Sequence, residues 1–294
     1  MTSVIMHITS SPIGQRTTRS ASRISDLWHH AVITGLLLLG TLAPSGVLAD
    51  KIAIIIDDIG YSLTEGKAAI QLAPEIAISL LPAAPYAAQL SDLAIEHGNE
   101  TMLHLPMQAM THRKPAEPHQ LTLAMTEEEF KHQIRLDLDA FPLVTGVNNH
   151  MGSLLTQHPG HMAWLMEVLD EHPGMFFIDS RTYYKTVAAK TAGEYAIPHA
   201  SRDVFLDPGQ GGAQVVHEQL KTLLKIAADK GFALAIGHPH PATIQALRQF
   251  IARLPGSDHE LVPVSQYVQE QESQPCPECS SPLLKVVKNS KQSP

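Results

Sequence analysis

Cysteine is almost absent from this 294-residue chain: only Cys276 and Cys279 occur, as Cys-Pro-Glu-Cys near the C-terminus. No disulfide framework can therefore hold the fold. A lone C-x-x-C pair lacks the two further ligands that a zinc site needs, and a small local disulfide is the other reading. The pair lies in residues 270–294, rich in Ser, Pro, Gln and Lys and without hydrophobic periodicity, which read as a disordered tail. Basic charge is also scarce, with 21 Lys and Arg against 29 Asp and Glu. That balance argues against nucleic acid as a partner and gives no electrostatic reason to bind anionic lipid. No Gly-x-Gly-x-x-Gly occurs, which removes the fingerprint of a dinucleotide-binding sheet. No Gly-x-Ser-x-Gly elbow and no cysteine nucleophile occur in the region expected to fold, so covalent catalysis has no candidate motif.

The first 49 residues follow the order of a secretory signal. Arg16, Arg19 and Arg23 precede an apolar stretch from Ala31 to Leu42, and Val47-Leu48-Ala49 supplies small or apolar residues at the cleavage position. Gly40 and Pro44 leave the apolar part short of the roughly 20 residues of a membrane span. An uncleaved anchor is the competing reading and the only expected membrane contact; either way a periplasmic or otherwise exported location is expected. Cleavage after Ala49 removes three arginines and one aspartate, leaving 18 basic and 28 acidic residues and a formal charge of −10.

The remaining 245 residues contain short, nearly continuous apolar runs. They begin near Lys51, Ile76, Thr101, Val144, Met175, Asp203, Ala233 and Leu261. Strands covered on both faces have this composition, as in parallel sheets. Between them lie helical stripes: Phe130, Ile134 and Leu138 after the capping box Thr126–Glu129; Trp164, Leu165, Val168 and Leu169; Val216 to Ala227, stopped by Gly231; and Ile244 to Ile251. Seven or eight alternating βα units favour a barrel over 50–269. The long connection from Gln108 to Leu123 reads as a loop over the site or as a surface excursion.

Functional side chains of a βα barrel sit where strands end. Ile54-Ile55-Ile56-Asp57-Asp58 delivers two adjacent carboxylates there. Strand side chains alternate, so neighbours diverge unless the strand is turning. One carboxylate can then bind a cation, which relieves their mutual repulsion, while the other addresses a water. Helix capping is the alternative use of one of them. His104, His150, His238 and His240 also fall at strand ends. Asp179 ends the Met175–Ile178 run, where it could orient a catalytic histidine or fix Arg181. Asp207, before Pro208-Gly209, reads as a turn residue. His199 is ambiguous. Carboxylates and histidines gathered at one rim suit activation of water by a metal ion.

Together, Ile55-Ile56-Asp57-Asp58-Ile59-Gly60, Leu103-His104-Leu105-Pro106-Met107, Asn149-His150-Met151-Gly152-Ser153, Phe177-Ile178-Asp179-Ser180 and Gly237-His238-Pro239 resemble the divergent polysaccharide deacetylase family, a branch of the NodB-homology carbohydrate esterases. The resemblance spans roughly Lys51 to Gln269. It implies an α/β fold, a distorted seven-stranded (β/α) barrel, with one divalent cation, usually zinc. It also implies Asp57 as general base on the attacking water, Asp58 and His104 as metal ligands, and His238 as the acid that protonates the leaving amine, oriented by Asp179. The family's second metal histidine, four residues after the first, is replaced here by Gln108, and His150 is taken as the third ligand. The family's Arg-Pro loop is also missing, with Asn148-Asn149-His150 in its place. The expected activity is removal of N-acetyl groups from an envelope polysaccharide or peptidoglycan-type glycan. The alternative, prompted by Gln108, is a catalytically inactive glycan-binding or regulatory envelope protein.

Overall fold

The computed structural model describes residues 49–111, 116–210 and 212–273. The expected leader, except Ala49, and the Cys276/Cys279 pair lie outside them. Nine strands form one sheet: β1 (Asp50–Ile59), β2 (Ala77–Leu80), β3 (Thr101–Met107), β4 (Gly146–Met151), β5 (Phe176–Asp179), β6 (His199–Ser201), β7 (Val204–Phe205), β8 (Phe232–Gly237) and β9 (His259–Leu261). The helices are α1 (Leu63–Ile70), α2 (Ala87–His97), α3 (Glu127–Ala140), α4 (Pro159–Asp170), α5 (Ala188–Glu194), α6 (Ala213–Lys230), α7 (Pro241–Ile251) and α8 (Val264–Ser273).

All the pairings between strands are parallel, and their order is β6-β5-β4-β3-β2-β1-β8-β7, with β9 added to β1. The two end strands, β6 and β7, are consecutive in the chain and joined only by Arg202 and Asp203. Three Cα–Cα steps span at most about 11 Å, so the sheet must curl until its edges nearly meet. The result is an open barrel. Eight strands lie along the curled path, against the seven expected, because β6 and β7 divide what a closed wall would run as one.

Strand alternation sorts the core into two parts. Ile52, Ile54 and Ile56 of β1 join Leu103, Leu105, Val147, Phe177, Ala233 and Ala235 under the helices. Ala53 and Ile55 join Met102, Phe176, Ile178, Ala200, Leu234 and Ile236 inside the barrel. Each fully buried isoleucine contributes roughly 1.5–3 kcal/mol. Below, the interior is plugged by Val264, Tyr267 and Val268 of α8, whose preceding strand β9 pairs with the start of β1.

The expected capping box of α3 is present: Thr126 accepts from the Glu129 amide, and Glu129 reaches back to Thr126. Three features differ from expectation. The Leu261 run is a three-residue strand that turns at Pro263 into α8, and that helix reaches Ser273, beyond the expected boundary at 269. Strand β6 and helices α2 and α5 were not anticipated, being short or weakly periodic. Among the described residues no helix is long and apolar enough to cross a membrane.

Candidate metal centre

The interior register of each strand, continued to its C-terminal end, builds the site. Asp57 follows Ala53 and Ile55, His104 follows Met102, His150 follows Asn148, and His238 follows Leu234 and Ile236. Asp58 breaks the alternation. The β1–β2 register shifts between Ile56 and Ile59, and Asp58 takes φ 59°, so a bulge keeps the second carboxylate at the site beside the first. Gly60 follows at φ 137°, where a Cβ would lie 2.4 Å from that of Ala84.

Asp58, His104 and His150 converge. His150 Nδ1 lies 2.8 Å and His104 Nε2 3.2 Å from Asp58 Oδ1, and the two nitrogens are 3.3 Å apart. Donors about 3.3 Å apart are what zinc bonds near 2 Å with tetrahedral angles require. Asp58 Oδ1 is buried yet receives no hydrogen bond, because neither ring directs an N–H at it in bonding geometry. The side chain of Asn148 explains part of this. His104 Nδ1 donates to Asn148 Oδ1 at 2.8 Å, so in the neutral ring Nε2 presents its lone pair toward Asp58. A carboxylate oxygen and two imidazole nitrogens turned on one another are a donor set that fits a divalent cation. The charges agree. Burial alone would raise the Asp58 carboxyl, but the imidazoles beside it outweigh burial and hold it well below the usual range. Burial likewise opposes charge on His104, and Asp57 and Asp58 outweigh it, so the pocket favours a positive charge there.

Asp57 is 3 % exposed and receives Asn148 Nδ2 at 2.8 Å. Burial pushes its carboxyl above the ordinary value, against the lowering pull of His104, His238 and Asn148. His238 Nε2 stands 3.6 Å from Asp58 Oδ2. Burial disfavours its imidazolium, but the bond to Asp207 and the charges of Asp58 and Asp57 prevail, and its pKa is pushed up to about 9.

The acid that holds His238 is Asp207, not Asp179. Asp207 Oδ1 accepts from His238 Nδ1 at 2.9 Å; Oδ2 accepts the His238 amide at 2.8 Å and Thr243 Oγ1 at 2.7 Å. Asp207 therefore does more than make a turn. Asp179 shares the outward register of Phe177, so it faces α5 and the loop before it. It accepts from the Arg181 amide, Thr186 Oγ1 and the Ala189 amide. Its role in orienting His238 is thus corrected by strand parity.

Gln108 faces away from this centre. Its Oε1 accepts the Leu123 amide at 2.9 Å and its backbone carbonyl accepts those of Leu154 and Leu155. It staples the ends of the long connection, whose Ala109 and Thr111 line the cleft. The third donor comes instead from His150 on β4, so the missing histidine does not leave the centre short of one. His240 lines the cleft, its ring stacked on that of His238. His199 is structural, bonded to the Ile197 carbonyl. Asn149 and Ser153 hold neighbouring backbone rather than facing the donors, accepting from the Ser180 and Met110 amides.

Sequence reasoning missed Asn148 as an organiser, Ser79, which donates to it at 2.6 Å, and Asp207 as the partner of His238. A parity count back from His150 and forward from Phe205 would have found Asn148 and Asp207. Asp57, Asp58, His104, His150, Asp207, His238 and His240 line a cleft of about 610 Å³, with Asn148 and Ser79 buried behind it.

Comparison with known proteins bears on the family and the fold. A protein from Escherichia coli (strain K12), described as "Uncharacterized protein YibQ", is 33% identical over 250 residues, covering 85% of this chain and 76% of its own. An uncharacterized protein from Haemophilus influenzae (strain ATCC 51907 / DSM 11121 / KW20 / Rd) is 38% identical over 212 residues, 72% of this chain and 74% of its own. The crystal structure of the uncharacterized protein ATU2773 from Agrobacterium tumefaciens C58 shares the fold, with a TM-score of 0.71 at 21% identity over 76% of this chain and 91% of that one. The family model described as divergent polysaccharide deacetylase matches residues 54–268. The chain belongs to the divergent polysaccharide deacetylase family.

Proposed function

We propose that the chain is an exported metal-dependent hydrolase that removes N-acetyl groups from an envelope glycan. The observation that carries this reading is the convergence of Asp58, His104 and His150 on one point, with a separate carboxylate and a separate histidine beside it. Asp58, His104 and His150 would hold the cation, and two imidazoles with one carboxylate suit zinc. When bound, the cation acts as a Lewis acid toward a carbonyl oxygen and makes water more acidic. Asp57, raised by burial, is poised to take the proton of the attacking water, and Asn148 fixes the carboxylate that does so. His238, kept protonated by Asp207, is poised to give a proton to the departing nitrogen. The leader expected over residues 1–49 supports an exported location and hence a cell-envelope substrate.

The test is elemental analysis of the purified protein together with acetate release from N-acetylated envelope glycan fragments. The expected result is about one divalent cation per chain and release that disappears in Asp57→Asn. No bound cation, and no release with zinc, manganese or cobalt supplied, would reject the reading.

A further inference from the structure

Asp57, Asp58 and Asp207 are the acids that line the cleft, and each is committed to histidines. Arg181 and Arg202 line it as well. Arg202 is fixed in place: its Nε donates to the Ser180 carbonyl at 2.6 Å and its Nη2 to that of Arg181 at 2.9 Å. Its guanidinium also lies over the Phe205 ring, 4.9 Å from the centroid. Neither bond neutralises its charge, and among the described residues no carboxylate lies within ion-pair distance of Arg181 or Arg202. Arg181 sits at φ 47°, a conformation held by the bond from its amide to Asp179. Burial presses against the charge on Arg202 and holds it below its ordinary value; the nearby charges of Asp57 and Asp179 favour it, and the like charge of Arg181 opposes it. Two unpaired cations held together on the wall of an otherwise acidic protein raise the local potential for an anion. A guanidinium immobilised beforehand binds a carboxylate with little further loss of entropy.

We propose that Arg181 and Arg202 form an anion subsite in this cleft, so the glycan it takes carries a carboxylate near its N-acetyl group. The inference rests on the hydrolase reading of the metal centre, and the test separates the two. Calorimetry on full-length Asp57→Asn protein compares two probes: oligomers alternating N-acetylglucosamine with N-acetylmuramic acid, and the same oligomers with each carboxylate converted to an amide. The carboxylate form is expected to bind about tenfold tighter at low salt, with the gap shrinking at high ionic strength. Arg202→Gln and Arg181→Gln, each added to Asp57→Asn, should each narrow the gap at least threefold. Arg202→Lys, which keeps the charge and guards against misfolding, should restore part of it. Equal binding of the two forms overturns the subsite. Acetate release by the wild-type protein is read alongside. Release with equal binding keeps the hydrolase and rejects the subsite; carboxylate-dependent binding without release keeps the subsite and rejects the hydrolase.

Discussion

Two clusters in this cleft share one composition, an aspartate and two histidines: Asp58 with His104 and His150, and Asp207 with His238 and His240. Their chemistry diverges because their hydrogen bonds do. Asp207 is filled by three donors, the His238 ring, the His238 amide and Thr243, so its charge is spent on orienting one imidazole. Asp58 Oδ1 receives no hydrogen bond and faces two ring nitrogens, one of which has its proton turned away to Asn148. A saturated carboxylate holds a proton donor in place. An unsaturated one leaves room for a cation. Residue type alone does not separate the two; the count of donors does.

Replacing the unsaturated carboxylate should have the largest effect. Asp58→Ala is expected to abolish bound cation by elemental analysis and to lower kcat/KM by about three orders of magnitude. Asp207→Asn should leave the cation in place and lower kcat by about two orders of magnitude. It should also shift the alkaline limb of the rate profile downward, because His238 loses the partner that raises it. The same pair predicts a stability trend in metal-free protein. His238 is raised from 6.5 to about 9, so its contribution is complete below pH 6.5 and is lost as pH rises through 9. Melting temperatures should fall across that window in the wild type and fall less in Asp207→Asn.

Asp179→Asn tests the outward carboxylate. It should cost roughly 1–3 kcal/mol in denaturant unfolding, through the loop it ties, without moving the alkaline limb. The smallest effect is expected at Asp137, a buried carboxylate that receives His119 Nδ1 at 2.6 Å and keeps one oxygen unpartnered. Burial raises its carboxyl, so ionisation costs stability above the ordinary carboxylate range and that cost fades as pH falls. Asp137→Asn should therefore raise the melting temperature slightly at pH 8, by at most about 1 kcal/mol equivalent, and leave metal content unchanged.

Much of this was legible before any coordinates. The apolar runs at Lys51, Thr101, Val144 and Ala233 became strands, and the residues that ended them, Asp58, His104, His150 and His238, came together. They did so because a parallel barrel collects its strand ends at one rim. What was not legible was which face each end residue takes. Asp179 and Asp207 both follow apolar runs, and only the interior register of Phe205 and the exterior register of Phe177 distinguish them. The doubling of β6 and β7 was hidden as well, since strands of two and three residues leave no periodic signal.

The plug formed by α8 fixes how traffic must run. Among the described residues, Tyr267 and its neighbours fill the floor of the barrel and leave its mouth as the way in. On the proposed hydrolase reading, a long chain molecule would drape over the mouth and offer one unit at a time, and the released group would depart by the door through which it entered.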